Sequence, residues 1–154
     1  MSLLARLMYR ALIWKERQRA MRVHQIGPRP GGTPQHLVIG ARGETLAYWY
    51  LRQSGYTIVA RNRRARSGVG EIDLIGWDGP TLAFVEVKTR TSNEAGPPEA
   101  AVSRAKQKRV AKAAKDYLRR LPKRPINYRF DIVSVSWDAE AGYKVRLIKD
   151  AFKG

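Results

Sequence analysis

The run GEIDLIGWDGPTLAFVEVKTR, residues 70–90, decides how this 154-residue chain folds. Its two halves, 71–76 and 81–90, are rich in β-branched and aromatic residues. They flank Trp77-Asp78-Gly79-Pro80, whose Asp-Gly step signals a hairpin, so they are expected as antiparallel neighbours. Strand side chains alternate faces. Leu82, Phe84, Glu86 and Lys88 therefore share one face, and Ala83, Val85 and Val87 the other. Both faces are apolar at their centre, as in a strand covered on both sides. On the first half, Glu71, Asp73 and Ile75 share a face against Ile72 and Leu74. With Asp78-Gly79 as a two-residue loop, Trp77 pairs with Pro80, Asp73 lies opposite Phe84, and Asp73 and Glu86 point the same way. A slip of one residue would turn them to opposite sides.

Two carboxylates in a partly dry site repel unless a proton or a cation stands between them. Magnesium takes one or two carboxylates plus waters and often a substrate phosphate oxygen. Such an ion stabilises charge developing on a phosphodiester and acidifies its water, while a nearby lysine orients that water or neutralises charge. Asp73, Glu86 and Lys88 are the right groups for phosphodiester hydrolysis. The plainer alternative is a salt bridge inside a sheet, with Lys88 neutralising Glu86. One lysine, however, cannot satisfy both acids.

Upstream, Glu44, Ala47, Tyr48 and Leu51 fall at i, i+3, i+4 and i+7, one stripe of a helix from Gly40 to about Ser54 that Gly55 closes. Glu44 lies in line with the apolar face and needs a partner there, either a metal or a buried ion pair. Residues 56–61 read as a strand, followed by Arg61, Arg63, Arg64 and Arg66, whose guanidinium groups make a local anion site. Downstream, a helix over 98–121 opens at Pro98 and sets Val102, Ala105, Arg109, Val110, Ala113 and Tyr117 along one face. Arg104, Lys106, Lys108, Lys112, Lys115, Arg119 and Arg120 occupy its other faces against only two acids, Glu99 and Asp116. That imbalance favours contact with backbone phosphates. Strands at 127–137 and 143–149 complete the order helix, three strands, helix, two strands. This is an α/β fold with a mixed central sheet flanked by helices. Glu71 is expected to be solvated or paired with an arginine, Asp131 to pair with an arginine, and Trp49, Tyr50, Trp77 and Trp137 to pack rather than stack on bases.

Residues 1–36 form a basic N-terminal extension with a Gly/Pro linker, leaving 37–154 as the domain. Leu4, Leu7, Met8 and Ala11 recur at helical spacing, which predicts an amphipathic basic helix over 3–20. A solvated appendage, phosphate or membrane-surface contact and a targeting leader are its readings. Its charges keep every apolar run too short for membrane insertion. Thirty Lys and Arg against thirteen Asp and Glu leave a net charge of +17. Nucleic acid is the first partner this suggests, an anionic membrane the second. The absence of cysteine excludes disulfides, thiolate catalysis and Cys-ligated metals. His24 and His36 both fall in the extension and linker, which argues against a Ser-His-Asp triad or a His-built zinc centre in the core. Carboxylates and lysine remain for any catalysis.

Taken in order, Gly43-Glu44, Gly55-Tyr56, Arg61-Asn62, Gly70-Glu71-Ile72-Asp73, Phe84-Val85-Glu86-Val87-Lys88-Thr89-Arg90 and Arg129-Phe130-Asp131 resemble the YraN family. Within them, the Asp73 and Glu86-Val87-Lys88 elements resemble the metal-binding core of the PD-(D/E)XK nuclease superfamily. The likeness covers about residues 37–151. It implies a restriction-endonuclease-like core, similar in fold to archaeal Holliday junction resolvases. It also implies an endonuclease-like hydrolase of structured or branched DNA, with RNA the other candidate. Residue by residue, it implies that Asp73 and Glu86, with the Val87 carbonyl, hold Mg²⁺ or Mn²⁺, that Lys88 is the catalytic lysine and that Glu44 is the acid from the first helix. Lys106 and Gln107, beside Lys108, become phosphate or substrate contacts. Ile72 stands where the superfamily's name has Pro. A two-fold dimer and a cytoplasmic location are further expectations. The alternative is a non-catalytic nucleic-acid-binding module that keeps the fold.

Overall fold

Strands that are apolar on both faces need cover from both sides, and this chain supplies it with helices drawn from either flank. The computed structural model describes residues 3–26, 35–91, 102–138 and 142–154. The Gly/Pro run at 27–34, Pro98 and Glu99 lie outside them, as does the Trp137 side chain. In chain order the elements are α1 (Leu3–Ile26), α2 (Gln35–Gln53), β1 (Thr57–Arg64), β2 (Glu71–Asp78), β3 (Thr81–Thr91), α3 (Arg104–Leu118), β4 (Asn127–Asp138) and β5 (Gly142–Phe152). The strands form one five-stranded mixed sheet in sequence order, antiparallel except for the parallel pair β3 and β4 on either side of α3. From α2 onward, the order is the expected one.

One core lies between the sheet and α3, where Ile75, Leu82, Phe84, Phe130, Ile132 and Phe152 meet Val110, Ala113, Ala114 and Leu118. The other lies between the sheet and α2, where Leu74, Ala83, Val85, Val133 and Val135 meet Leu46, Ala47 and Leu51. Leu82 and Phe84 thus part from Ala83 and Val85 as alternation requires. The buried stripe of α3 is rotated from the expected one. Ala105 and Arg109 are exposed, while Ala111, Ala114 and Leu118 are buried. Phe84, Phe130 and Phe152 stack with centroids 5.7 and 4.9 Å apart, and alanines give such rings room at native packing density.

The hairpin corrects the expected register. Asp78 pairs with Thr81 and Ile75 with Phe84, so the loop is Gly79-Pro80 and not Asp78-Gly79. Gly79 has φ +58 and proline's φ is fixed negative, the sign pattern of a II′ turn. Carried past its last pair, Leu74 with Val85, this register sets Asp73 against Glu86 rather than Phe84. The shift is an even number of residues, so the two acids keep a common side. Within the hairpin, alternation fails at Ile72, which joins the α3-side core although Leu74 belongs to the α2 side.

α1 runs to Ile26, beyond the helix expected over 3–20, and lies against α2. Ala5 and Glu16 are buried, Tyr9 meets Tyr50 edge-on at 5.7 Å, and Glu16 Oε2 lies 3.6 Å from Arg42 Nη1. Leu4, Leu7 and Met8, the stripe that marked it as amphipathic, face away from these contacts and are exposed.

Candidate active site

Where the β2–β3 ladder gives out, a side chain takes over from it. Val87 N–H donates to Asp73 Oδ2 at 2.7 Å, which fixes this carboxylate against β3 at the point where Ile72 breaks the alternation. Glu86 is only 6% exposed. Its Oε1 lies 3.0 Å from Lys106 Nζ, on the first turn of α3. Its Oε2 is buried and has no hydrogen-bond partner among the described residues. Such an orphaned acceptor costs about 1–3 kcal/mol, more when charged.

The electrostatics follow from this geometry. Burial, then the charge of Asp73, pushes the Glu86 carboxyl up to about 7, in spite of Lys106 and Lys88. Burial likewise raises Asp73 to about 6 against the Val87 N–H bond and Lys106, and the charges of Glu44 and Glu71 add to the rise. For Lys106, burial opposes the charge, but Glu86 and Asp73 more than offset it and hold the ammonium above the ordinary lysine range. The pair is starved of positive charge, so a proton or a further cation relieves it.

Three local features position these groups. Ser103 Oγ accepts from Lys106 N–H and so caps α3, while Gln107 Nε2 donates to Val102 O at 2.9 Å. Together they aim the first turn at Glu86. A Cβ on Gly43 would overlap the Thr89 side chain, so α2 lies hard against β3 and brings Glu44 within electrostatic reach of Asp73. A Cβ on Gly70 would overlap the Arg109 carbonyl, and its φ of +98 suits glycine in any case. The loop leading into Glu71 is thereby pressed onto α3.

The family model described as "Uncharacterised protein family UPF0102" matches residues 43–135, a span that holds every one of these groups. The chain belongs to the UPF0102, or YraN, family. UPF0102 proteins of Solibacter usitatus, Koribacter versatilis and Symbiobacterium thermophilum are similar to it at 52%, 45% and 49% identity. The matches cover 73%, 77% and 74% of this chain and 84%, 82% and 95% of those relatives.

In this UPF0102 chain the residues singled out by the sequence fall into two groups. Asp73 and Glu86 come together, with Glu44 acting on the first and Lys88 on the second. Lys106, expected on a phosphate, is the amine that touches Glu86, the part given to Lys88 in the plainer reading. The sequence hides this because it depends on how α3 docks; the only signal is a lysine in the first turn of the helix that follows Glu86. Lys108 lies on the exposed side of α3. Arg61, Arg63 and Arg64 are on β1, a sheet edge among the described strands, and not in a loop. Arg61 stacks on Tyr48 at 4.9 Å, Arg64 Nε reaches Glu71 at 3.1 Å, and Arg66 N–H donates to Asp116. The arginine partners expected for Glu71 and Asp131 are thus present, Arg129 Nε lying 2.9 Å from Asp131 Oδ1. Among the described residues, no three Asp, Glu or His side chains stand close enough to share one metal ion. Glu44 and Glu71 act on Asp73 through space.

Proposed function

We propose that this chain is a metal-dependent nuclease with a restriction-endonuclease-like core, acting on structured or branched DNA. The observation that carries this reading is Glu86 Oε2, a buried carboxylate oxygen with no hydrogen-bond partner among the described residues, beside the half-buried carboxylate of Asp73. Oxygen donors of this kind suit a hard divalent ion, Mg²⁺ or Mn²⁺. Asp73 and Glu86, with the Val87 carbonyl, would hold it. When bound there, such an ion acts as a Lewis acid on the phosphodiester and acidifies a water.

The chain's own groups supply the rest. Lys88 orients the attacking water and offsets charge building on the phosphate. Lys106 offsets part of the cost of ionising the two acids and offers its remaining N–H bonds to a phosphate oxygen. Glu44 strengthens the negative potential at Asp73. Arg61, Arg63, Arg64 and Arg66 on one flank, with Lys108 and its neighbours on α3, grip the backbone in a sequence-independent, salt-sensitive way. A two-fold dimer would present two such sites to a junction.

The Lys106–Glu86 contact, which already places an amine on one acid, favours a second reading: a nucleic-acid-binding module without catalysis. Both are tested by incubating the wild type and Asp73→Ala, Glu86→Ala and Lys88→Ala with linear, flapped and four-way DNA, with and without Mn²⁺. The nuclease reading expects cutting that needs the ion and is lost in all three variants while DNA binding persists. Salt-sensitive binding without cutting in the wild type gives the second reading. Cutting retained by every variant places the chemistry elsewhere.

A further inference from the structure

α1 has two apolar faces, and only one of them is covered. Ala5, Tyr9, Leu12 and Glu16, at i, i+4, i+7 and i+11, make the stripe turned inward: Ala5 and Glu16 are 1% and 5% exposed, Tyr9 meets Tyr50, and Leu12 borders the α2-side core. Two residues earlier, and so on the opposite side of the helix, Leu3, Leu7 and Trp14 are 71%, 56% and 65% exposed. Leu4 and Met8, at 63% and 37%, lie beside them. Scattered apolar side chains are normal on a surface, but five large ones within twelve residues of one helix form a contiguous patch.

Charge identifies the occupant. Arg10 and Lys15 are exposed on the same side as the patch. The single acid of α1, Glu16, is turned inward toward Arg42. The outward face therefore offers apolar and positive groups and no negative one.

We propose that this face of α1 docks on an anionic phospholipid surface. The helix lies in the plane of the interface, with Leu3, Leu4, Leu7, Met8 and Trp14 at the headgroup–acyl boundary and Arg10 and Lys15 on lipid phosphates. It stays packed on α2 throughout, because the two stripes do not overlap. Attachment is peripheral, since no helix among the described residues is long and apolar enough to cross a membrane. The proposal is independent of the nuclease reading.

The test floats the full chain with vesicles of phosphatidylcholine alone or mixed equally with phosphatidylglycerol. A Leu4→Ser/Leu7→Ser/Trp14→Ser variant is compared with an Arg104→Gln/Lys108→Gln/Lys112→Gln variant, which lowers charge on another face. All three substitutions in α1 fall on exposed positions, and circular dichroism checks that the fold is kept. The wild type is expected to bind the anionic vesicles with a blue shift in tryptophan emission. The α1 variant is expected to bind at least about tenfold more weakly, with the α3 variant much closer to wild type. Equal binding by the α1 variant would mean adsorption by net charge alone and overturn the proposal. So would a wild type that ignores vesicles but sediments as a dimer that the α1 variant dissociates, since a second copy would then cover the face.

Discussion

Asp131 and Glu86 are buried carboxylates one step apart in the sheet register, since Asp131 on β4 pairs with Val85 on β3. They face opposite sides. Asp131, fully buried, is saturated. Its Oδ1 accepts from Arg129 Nε and from Asp150 N–H, both at 2.9 Å, and its Oδ2 accepts from Tyr56 OH at 3.0 Å. Arg129 Nη2 donates in turn to Tyr56 OH and to Asp78, which Lys149 also holds. Burial opposes the charge of Asp78, but these donors keep its carboxyl below the usual range. Burial, with Asp131 beside it, drives the Tyr56 phenol upward. Glu86, on the α3 side, has one oxygen on Lys106 and the other on nothing described. The first carboxylate has its oxygens engaged within the fold; the second has one left over that a proton, a water or a cation could engage.

The largest effect expected on this contrast is catalytic. Glu86→Ala or Asp73→Ala should lower Mn²⁺-dependent cutting by about 10³-fold or more, roughly 4 kcal/mol in the barrier, with the chain still folded by circular dichroism. A loss under tenfold would remove the distinction between the two acids. Next comes stability on the other face. Arg129→Met strands the Asp131 charge and should cost about 3–5 kcal/mol in urea unfolding. A cost below about 1 kcal/mol would show that Asp131 does not depend on its network.

The third effect is the pH dependence of the ion-free protein. Asp73 and Glu86 have folded-state pKa values raised to about 6 and about 7. Between the ordinary carboxyl range and those values, the folded chain binds more protons than the unfolded one. Their contribution to stability therefore falls as pH rises through that window. About 1–3 kcal/mol should be lost between pH 5 and 8, read as a falling thermal midpoint. An Asp73→Asn/Glu86→Gln variant should flatten the slope. A wild-type midpoint that climbs over this range, or a slope that the variant keeps, would sharpen the comparison in the opposite sense.

Much of this was legible in the sequence because it rests on short-range periodicity. Alternation along 81–90 put Glu86 and Lys88 on one face, and the expectation that Asp131 pairs with an arginine is met by Arg129. The turn was less legible, since Asp78-Gly79 and Gly79-Pro80 both satisfy turn chemistry and differ in which residue pairs with Thr81. An even shift protected the conclusion about Asp73 and Glu86; an odd one would have reversed it. The Lys106–Glu86 contact was not legible because it depends on how α3 docks across the sheet, a long-range property that no local spacing encodes. The same holds for α1, whose two apolar stripes are equally regular in sequence. Only the burial of Ala5 and the packing of Tyr9 on Tyr50 show which faces inward.

The central claim is that Asp73 and Glu86 together capture a doubly charged ion, and a calorimetric Mn²⁺ titration of the chain without nucleic acid tests it most directly. At a pH above both carboxyl values, the wild type should bind Mn²⁺ at a site that Asp73→Asn and Glu86→Gln abolish and that Asp78→Asn, on the saturated network, leaves in place. No binding by the wild type, or equal binding by all four proteins, would contradict it.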